Sequence, residues 1–231
     1  MKKIFVYILS VLLIFCFCLN ISAENDDNAN ETAVELGADE AFLHDKQRQL
    51  EWERQVWEKV DSMEPVGDFK TGSRSVGAWS WRDGVICVTD SYASVSFFNN
   101  GHAGMMAIAP YYYKTVEANP QRSDGTGGCV EICDGYWETR FSNGRLVQVG
   151  VTETTVQQDH DAAVWACNQI GKPYKFWNND MSRRDAFYCS HLIYAAYLDT
   201  CGVNLDTPAY ACCIHPFEFL DNPKTTLIYE R

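Results

Sequence analysis

Asn100-Gly101-His102-Ala103-Gly104 and, late in the chain, Phe187-Tyr188-Cys189-Ser190-His191-Leu192 are the two stretches on which this sequence turns. In the first, a His opens an apolar run, as an imidazole carried on a buried strand does. In the second, a Cys stands on the first turn of an apolar helix. A thiol attacks only as the thiolate, which needs a neighbouring base and a positive field. A helix N-terminus supplies the field, and a His brought close by folding supplies the base. His191 is a poor choice of base for Cys189: two residues apart on a helix is about 200°, so the two side chains diverge. That leaves His102.

Outward from these stretches, the pattern is one of short apolar runs followed by longer helical ones. Strands are expected over Gly84 to Val88, Tyr92 to Phe98, His102 to Ala109, Tyr113 to Glu117, Glu131 to Cys133, Tyr136 to Phe141 and Leu146 to Val151. Asn143-Gly144 reads as a hairpin turn between the last two. From Thr154 to Ile170 the period becomes helical, with Val156, Ala163, Val164 and Cys167 on one stripe and Gly171 and Pro173 as the stop. Phe187 to Thr200 is a second helix, apolar on most sides and hence buried, ended by Gly202. A last strand is expected over Thr226 to Tyr229. Strands first and helices late make an α+β domain.

The N-terminal part differs. Met1-Lys2-Lys3, an apolar run from Ile4 to Leu19 and then Asn20-Ile21-Ser22-Ala23 have the form of a secretory signal peptide, with cleavage expected after Ala23. The run is shorter than the ~20 residues a spanning helix needs, so no stable membrane insertion is expected after cleavage. Residues 1–23 are thus assigned to the signal, and 24–75 to an acidic tail, a partly amphipathic helix over Ala38 to Val60 and a Pro/Gly/Ser linker from Pro65 to Ala78. Residues 76–231 form the main domain. The net charge is −12 at pH 7 and −14 once Lys2 and Lys3 are removed, which argues against nucleic acid as a partner. A hydrophobic content of 46% is ample for a packed core. A secreted, periplasmic or cell-surface location follows from the signal.

Export also permits disulfides. Beyond Cys16 and Cys18 of the signal, the chain carries Cys87, Cys129, Cys133, Cys167, Cys189, Cys201, Cys212 and Cys213. A free nucleophile at Cys189 leaves an odd number, and Cys129 with Cys133 is the favoured local pair. Cys212-Cys213-Ile214-His215 lacks the two-residue spacing of the usual zinc pair, so no metal is assigned. His160, in Asp-His-Asp at 159–161, reads as part of a solvated charge cluster.

The ordered pieces Asp83-Gly84-Val85-Ile86, Gly101-His102-Ala103-Gly104, Thr115-Val116-Glu117-Ala118, Gly171-Lys172-Pro173-Tyr174 and Tyr188-Cys189-Ser190-His191-Leu192-Ile193-Tyr194 resemble the circularly permuted papain-like amidases, the YiiX/YaeF branch of the NlpC superfamily of cysteine hydrolases. His precedes Cys, the reverse of papain. The resemblance covers about residues 80 to 225, including Pro216-Phe217-Glu218-Phe219-Leu220. It implies an antiparallel sheet carrying the His, packed on a helix that carries the Cys at its start. It further implies Cys189 as nucleophile, His102 as base and later acid, Glu117 as the carboxylate that orients the imidazole, and Tyr174 as an oxyanion or substrate donor beside the Cys189 N–H. His191 stands where the family often has an acidic residue. The activity so implied is an exported cysteine amidase working through a thioester, with no cofactor. Its partner is a peptide or other amide-containing substrate, from cell wall or lipid. A lipid amidase or acyltransferase of the same fold, and a non-catalytic ligand-binding domain, are the alternatives.

Overall fold

The computed structural model of the protein describes residues 29–71, 77–91, 101–122, 125–175, 180–209 and 213–231, with side chains from residue 46 onward. The signal-peptide reading, the strand expected over Tyr92 to Phe98 and Cys212 lie outside the described residues. The chain forms two compact units, Met1–Gln55 and Val56–Arg231.

Helix α1 (Ala29–Ser62) crosses that division. It begins earlier than expected: residues 29–37, read from composition as a flexible tail, are helical, in keeping with the high helix propensity of their Ala, Glu and Leu. Within the second unit, Trp57 packs edge-on against Phe217 with centroids 4.9 Å apart, and Lys59 reaches Asp221 at 2.6 Å.

The core of the second unit is a six-stranded antiparallel sheet of order β4-β3-β2-β1-β5-β6, made of β1 (Ile86–Thr89), β2 (His102–Met106), β3 (Thr115–Gln121), β4 (Gly127–Cys133), β5 (Leu146–Val151) and β6 (Thr225–Glu230). β-branched residues dominate β1 and β5, which run through its centre and are wholly buried. Period-two alternation sorts the side chains onto two faces. Cys87 and Met106 point to one, where Trp137, Phe141, Leu146, Ile228 and Tyr229 complete a buried cluster. Ile86, Val88, Ala103, Met105, Val116 and Ala118 form the alternate set, and helices α3 (Val156–Cys167) and α4 (Cys189–Cys201) pack on the sheet. Thr155 caps α3 in a reciprocal capping box with Gln158, and left-handed Gly202 ends α4.

Two expectations fail locally. Tyr136 to Phe141 is not a strand: Trp137–Arg140 is a single helical turn, α2, entered through left-handed Gly135. Its aromatic residues suit a strand, but the rings of Trp137 and Phe141, four apart, meet with centroids 4.6 Å apart, as neighbours on a helix do. Asn143-Gly144 therefore closes the end of α2, with the Gly144 N–H donating to Phe141 O, and β5 pairs with β1 and β6 instead.

The linker reading of Pro65 to Ala78 needs correction at Asp68, which is buried, as is Ser80 just beyond the stretch. Asp68 accepts from Ser80 Oγ and from Arg82 Nε, at 2.6 and 2.8 Å. Arg82 Nη1 and Lys70 Nζ both reach Asp159 Oδ2, at 2.6 and 2.7 Å. Asp159 is 1% exposed, so Asp-His-Asp at 159–161 is not a solvated cluster throughout. Only its first residue turns inward, and His160 stays at the surface on Asp83 at 2.6 Å.

Candidate active site

Strand β2 starts at His102, and its two flanking glycines are each required by close packing. Gly101 has φ +62°, and a Cβ there would strike the Phe217 ring and the Thr89 carbonyl. At Gly104 a Cβ would stand 2.7 Å from Trp137 Cζ3 and 2.8 Å from Glu117 Cγ. His102 and Gly104 lie on one face of β2. Glu117 comes across from β3 over the space that Gly104 leaves, and its Oε2 lies 2.7 Å from His102 Nε2. β2 and β3 pair only at Met105↔Val116 and Met106↔Thr115, so the His102 end of β2 is unpaired on that side. The imidazole is stacked on Trp137 at 5.6 Å and 10° and is 1% exposed.

Glu117 is fully buried and does not stand alone with His102. Arg140, the last residue of α2, makes an ion pair with Glu117 Oε1. Its Nη1 is 3.3 Å from Oε2, and its Nη2 donates to Thr115 Oγ1 at 2.9 Å. The Thr115 hydroxyl donates in turn to Glu117 Oε1.

Cys189 is the first residue of α4 and is partly exposed. Its thiol hydrogen-bonds the His102 ring. With Nε2 committed to Glu117, Nδ1 is the ring nitrogen left for sulfur. The backbone N–H groups of Ala103, on β2, and Ser190, on the first helical turn, also point at the sulfur. Burial pushes the thiol up, but the hydrogen bond and charge of His102, with those two N–H groups, outweigh it and the Cys189 thiol is held below its ordinary value of 9.0. Burial by itself would lower His102; its bonds to Cys189 and Glu117 raise it to about 9. For Glu117, burial pushes up while the Arg140 charge and the His102 hydrogen bond hold it down to about 2. The arrangement favours imidazolium and carboxylate at neutral pH and biases the thiol toward its thiolate.

The other predicted residues fall as follows. Tyr174 is half-buried, donates its backbone N–H to Gly128 O at 2.9 Å, and bridges Phe187, two residues before the nucleophile. Pro173 O accepts from Phe187 N–H at 3.1 Å. Gly171-Lys172-Pro173-Tyr174 thus anchors the approach to α4 through its backbone. That pairing also explains why α4 starts at Cys189 rather than at Phe187. His191 is fully buried in an aromatic stack with Phe187, Tyr188 and Tyr194, and burial lowers it to about 4. Its Nε2 lies 3.3 Å from Met181 O. Across the start of α4, Ser190 Oγ donates to Ile214 O at 2.7 Å, and the Ile214 N–H donates to Tyr188 Oη at 3.0 Å.

Cys129 and Cys133 are both free. They occupy one strand four residues apart, about 13 Å, beyond the reach of a disulfide. Cys133 Sγ accepts from Asn119 Nδ2 at 3.0 Å and Cys129 Sγ from Arg122 Nε at 2.9 Å. Arg140 and Trp137 are the site residues that sequence reading missed. The available signal was the i, i+4 aromatic pair Trp137 and Phe141 after Gly135.

Residues 141–228 match the model of a family described as permuted papain-like amidase enzymes, YaeF/YiiX, C92 family. That span contains Cys189, whereas His102 and Glu117 precede it. The uncharacterized protein YycO of Bacillus subtilis (strain 168) is 30% identical over 148 residues, which are 63% of this chain and 54% of that protein. The chain therefore spans about half the length of this curated relative. Among solved structures, the crystal structure of metalloprotein yiiX from Escherichia coli O157:H7, DUF1105, aligns with a TM-score of 0.50 at 18% identity, covering 66% of this chain and 99% of that one. This last likeness is one of fold, a permuted papain-like α+β architecture.

Proposed function

We propose, from the match of residues 141–228 to the permuted papain-like amidase family, that this chain is a cysteine amidase whose nucleophile is Cys189. The observation that carries the reading is the His102 ring, hydrogen-bonded on one side to the Cys189 thiol and on the other to buried Glu117. The thiolate attacks an amide carbonyl carbon, forming a C–S bond and a tetrahedral oxyanion. The oxyanion's donors would be the Cys189 N–H at the helix start and the Tyr174 hydroxyl. As the intermediate collapses, the C–N bond breaks and the His102 imidazolium gives its proton to the departing amine. The neutral imidazole then takes a proton from water, which attacks the thioester, releases the carboxylic acid and regenerates the thiol pair. Glu117 holds the ring in place and stabilises its charged form.

The signal-like N-terminus supports a location outside the cytoplasm and, with it, a cell-wall peptide or other extracellular amide as the substrate class. The first test is iodoacetamide labelling of Cys189 at pH 6, followed by peptide mass spectrometry, with His102→Ala as comparison. Fast labelling that collapses in the variant supports the pair. Equal, slow labelling in both sinks it and turns the search to ligand binding. Turnover of cell-wall peptides against N-acyl lipid amides, with Cys189→Ala as the blank, then separates the substrate classes.

A further inference from the structure

We propose that Arg140 is a positioning residue of the site: it neutralises Glu117, and so leaves the positive charge of the His102 imidazolium to the Cys189 thiolate. The inference rests on the cysteine-nucleophile reading above and extends it by one residue.

A count of buried charge carries it. Glu117 has no exposed surface, His102 1%, and the Arg140 side chain 24%. Thiolate, imidazolium, carboxylate and guanidinium sum to zero, which a water-poor site tolerates. Without the guanidinium the same protonation state carries a net charge of −1, which a buried site does not tolerate. One proton must then be taken up. The candidates are a carboxyl with an ordinary value of 4.5 and a thiol with an ordinary value of 9.0. The weaker acid keeps the proton, so it settles on Cys189. His102 and Glu117 are then an ordinary ion pair, and the thiol is a poor nucleophile.

Among the described residues, no other group facing Glu117 can replace Arg140. Cys87 from β1 and Cys133 from β4 are thiols that burial pushes up, so both are neutral. Glu131 from β4 pairs with Glu117 in register, and Glu138 stands on α2 beside Arg140; both are acidic side chains and neither can supply a cation. Thr115 donates a hydrogen bond but no charge. Arg140 is itself held firmly: its guanidinium lies 5.4 Å from the Trp137 ring and 5.0 Å from Phe141, the rings that also flank His102. The short helix α2 therefore positions the cation and the imidazole on one scaffold.

The test is the pH dependence of Cys189 labelling by iodoacetamide in the full chain, wild type against Arg140→Gln, with circular dichroism to verify folding. Loss of a close counter-charge moves a buried group by one to three pKa units, so labelling of Arg140→Gln at pH 6 should be slower by at least about tenfold. A purely packing role is separated by the double variant Glu117→Gln with Arg140→Gln. Removing the carboxylate charge removes the need for the guanidinium, and labelling at pH 6 should recover relative to Arg140→Gln alone. Should Arg140→Gln not fold, recovery of folding in the double variant is the same result. A double variant no better than the single one in either respect overturns the proposal. So does an Arg140→Gln protein with the wild-type profile, while the nucleophile reading stands. Slow wild-type labelling at pH 6 overturns both.

Discussion

Gly104→Ala tests whether the space beneath Glu117 is what lets the carboxylate reach His102. The added Cβ would lie 2.7 Å from Trp137 Cζ3, 2.8 Å from Glu117 Cγ and 3.3 Å from Glu117 Cδ, where ordinary contact begins at 3.4 Å. Trp137 must retreat by about 0.7 Å and Glu117 by about 0.6 Å to reach ordinary contact, and neither is a loose end. Trp137 is 1% exposed and stacked on the imidazole, while Glu117 is held by Arg140 and Thr115. Overpacking of this kind costs about 1–3 kcal/mol. At roughly 2–4 °C per kcal/mol for a unit of this size, the melting temperature should fall by about 2–12 °C. The functional effect is larger than the stability effect. A shift of that size takes the 2.7 Å His102–Glu117 bond past the limit of about 3.2 Å, and misplacement on this scale costs about 10²-fold in rate. The assays are thermal unfolding and Cys189 labelling at pH 6, with Gly127→Ala on β4 as control, since a Cβ there meets nothing within 4 Å. A Gly104→Ala protein that melts and labels like the control would refute the packing account of the site.

Four further outcomes are expected. Amide turnover should hold level across neutral pH and fall as pH rises through about 9, where the raised His102 loses its proton; a rate still climbing through pH 9 would contradict this. The same ionisation contributes stability that is complete below its unfolded value of about 6.5 and is lost through about 9. Glu117, held to about 2, contributes stability above its ordinary 4.5 that is lost as pH falls through about 2. Both are readable in the urea midpoint. Asp159→Ala leaves Lys70 and Arg82 buried without their shared carboxylate, so unfolding free energy should drop by about 3–5 kcal/mol; a loss under about 1 kcal/mol would show that Asp68 suffices. Mass spectrometry of the unreduced, alkylated protein should find no link between Cys129 and Cys133, and finding one would require β4 to be something other than a continuous strand.

Local pattern sufficed for much of the fold. Leu146–Val151 is the strand its alternation predicts, and Thr226 to Tyr229 falls inside β6. The helix read from Thr154 onward begins at its Thr155 cap, and Gly202 ends α4 as predicted. These elements are dictated by neighbours along the chain: alternation, a capping residue, a glycine able to adopt positive φ. Local pattern misled at Trp137–Arg140, where a short aromatic-rich run fits a strand and a helical turn about equally, and contacts with His102 and Glu117 decide between them. It misled again at Asp159, because sequence shows the charge but not the Lys70 and Arg82 that make its burial tolerable.

Residue type and order along the chain determined the α+β class and drew attention to His102, Glu117 and Cys189, since a thiol at a helix start and a His at a strand start are local features. The sheet alone decided what surrounds them. Register puts Glu117 opposite the side-chain-free Gly104, the opening between β2 and β3 leaves the His102 end unpaired, and α2 brings Arg140 to Glu117 from 23 residues away. Charge state is the part that needed tertiary structure most. Whether a buried carboxylate, imidazole and thiol are ionised depends on how their charges cancel across four separate elements, and no stretch of sequence contains that sum.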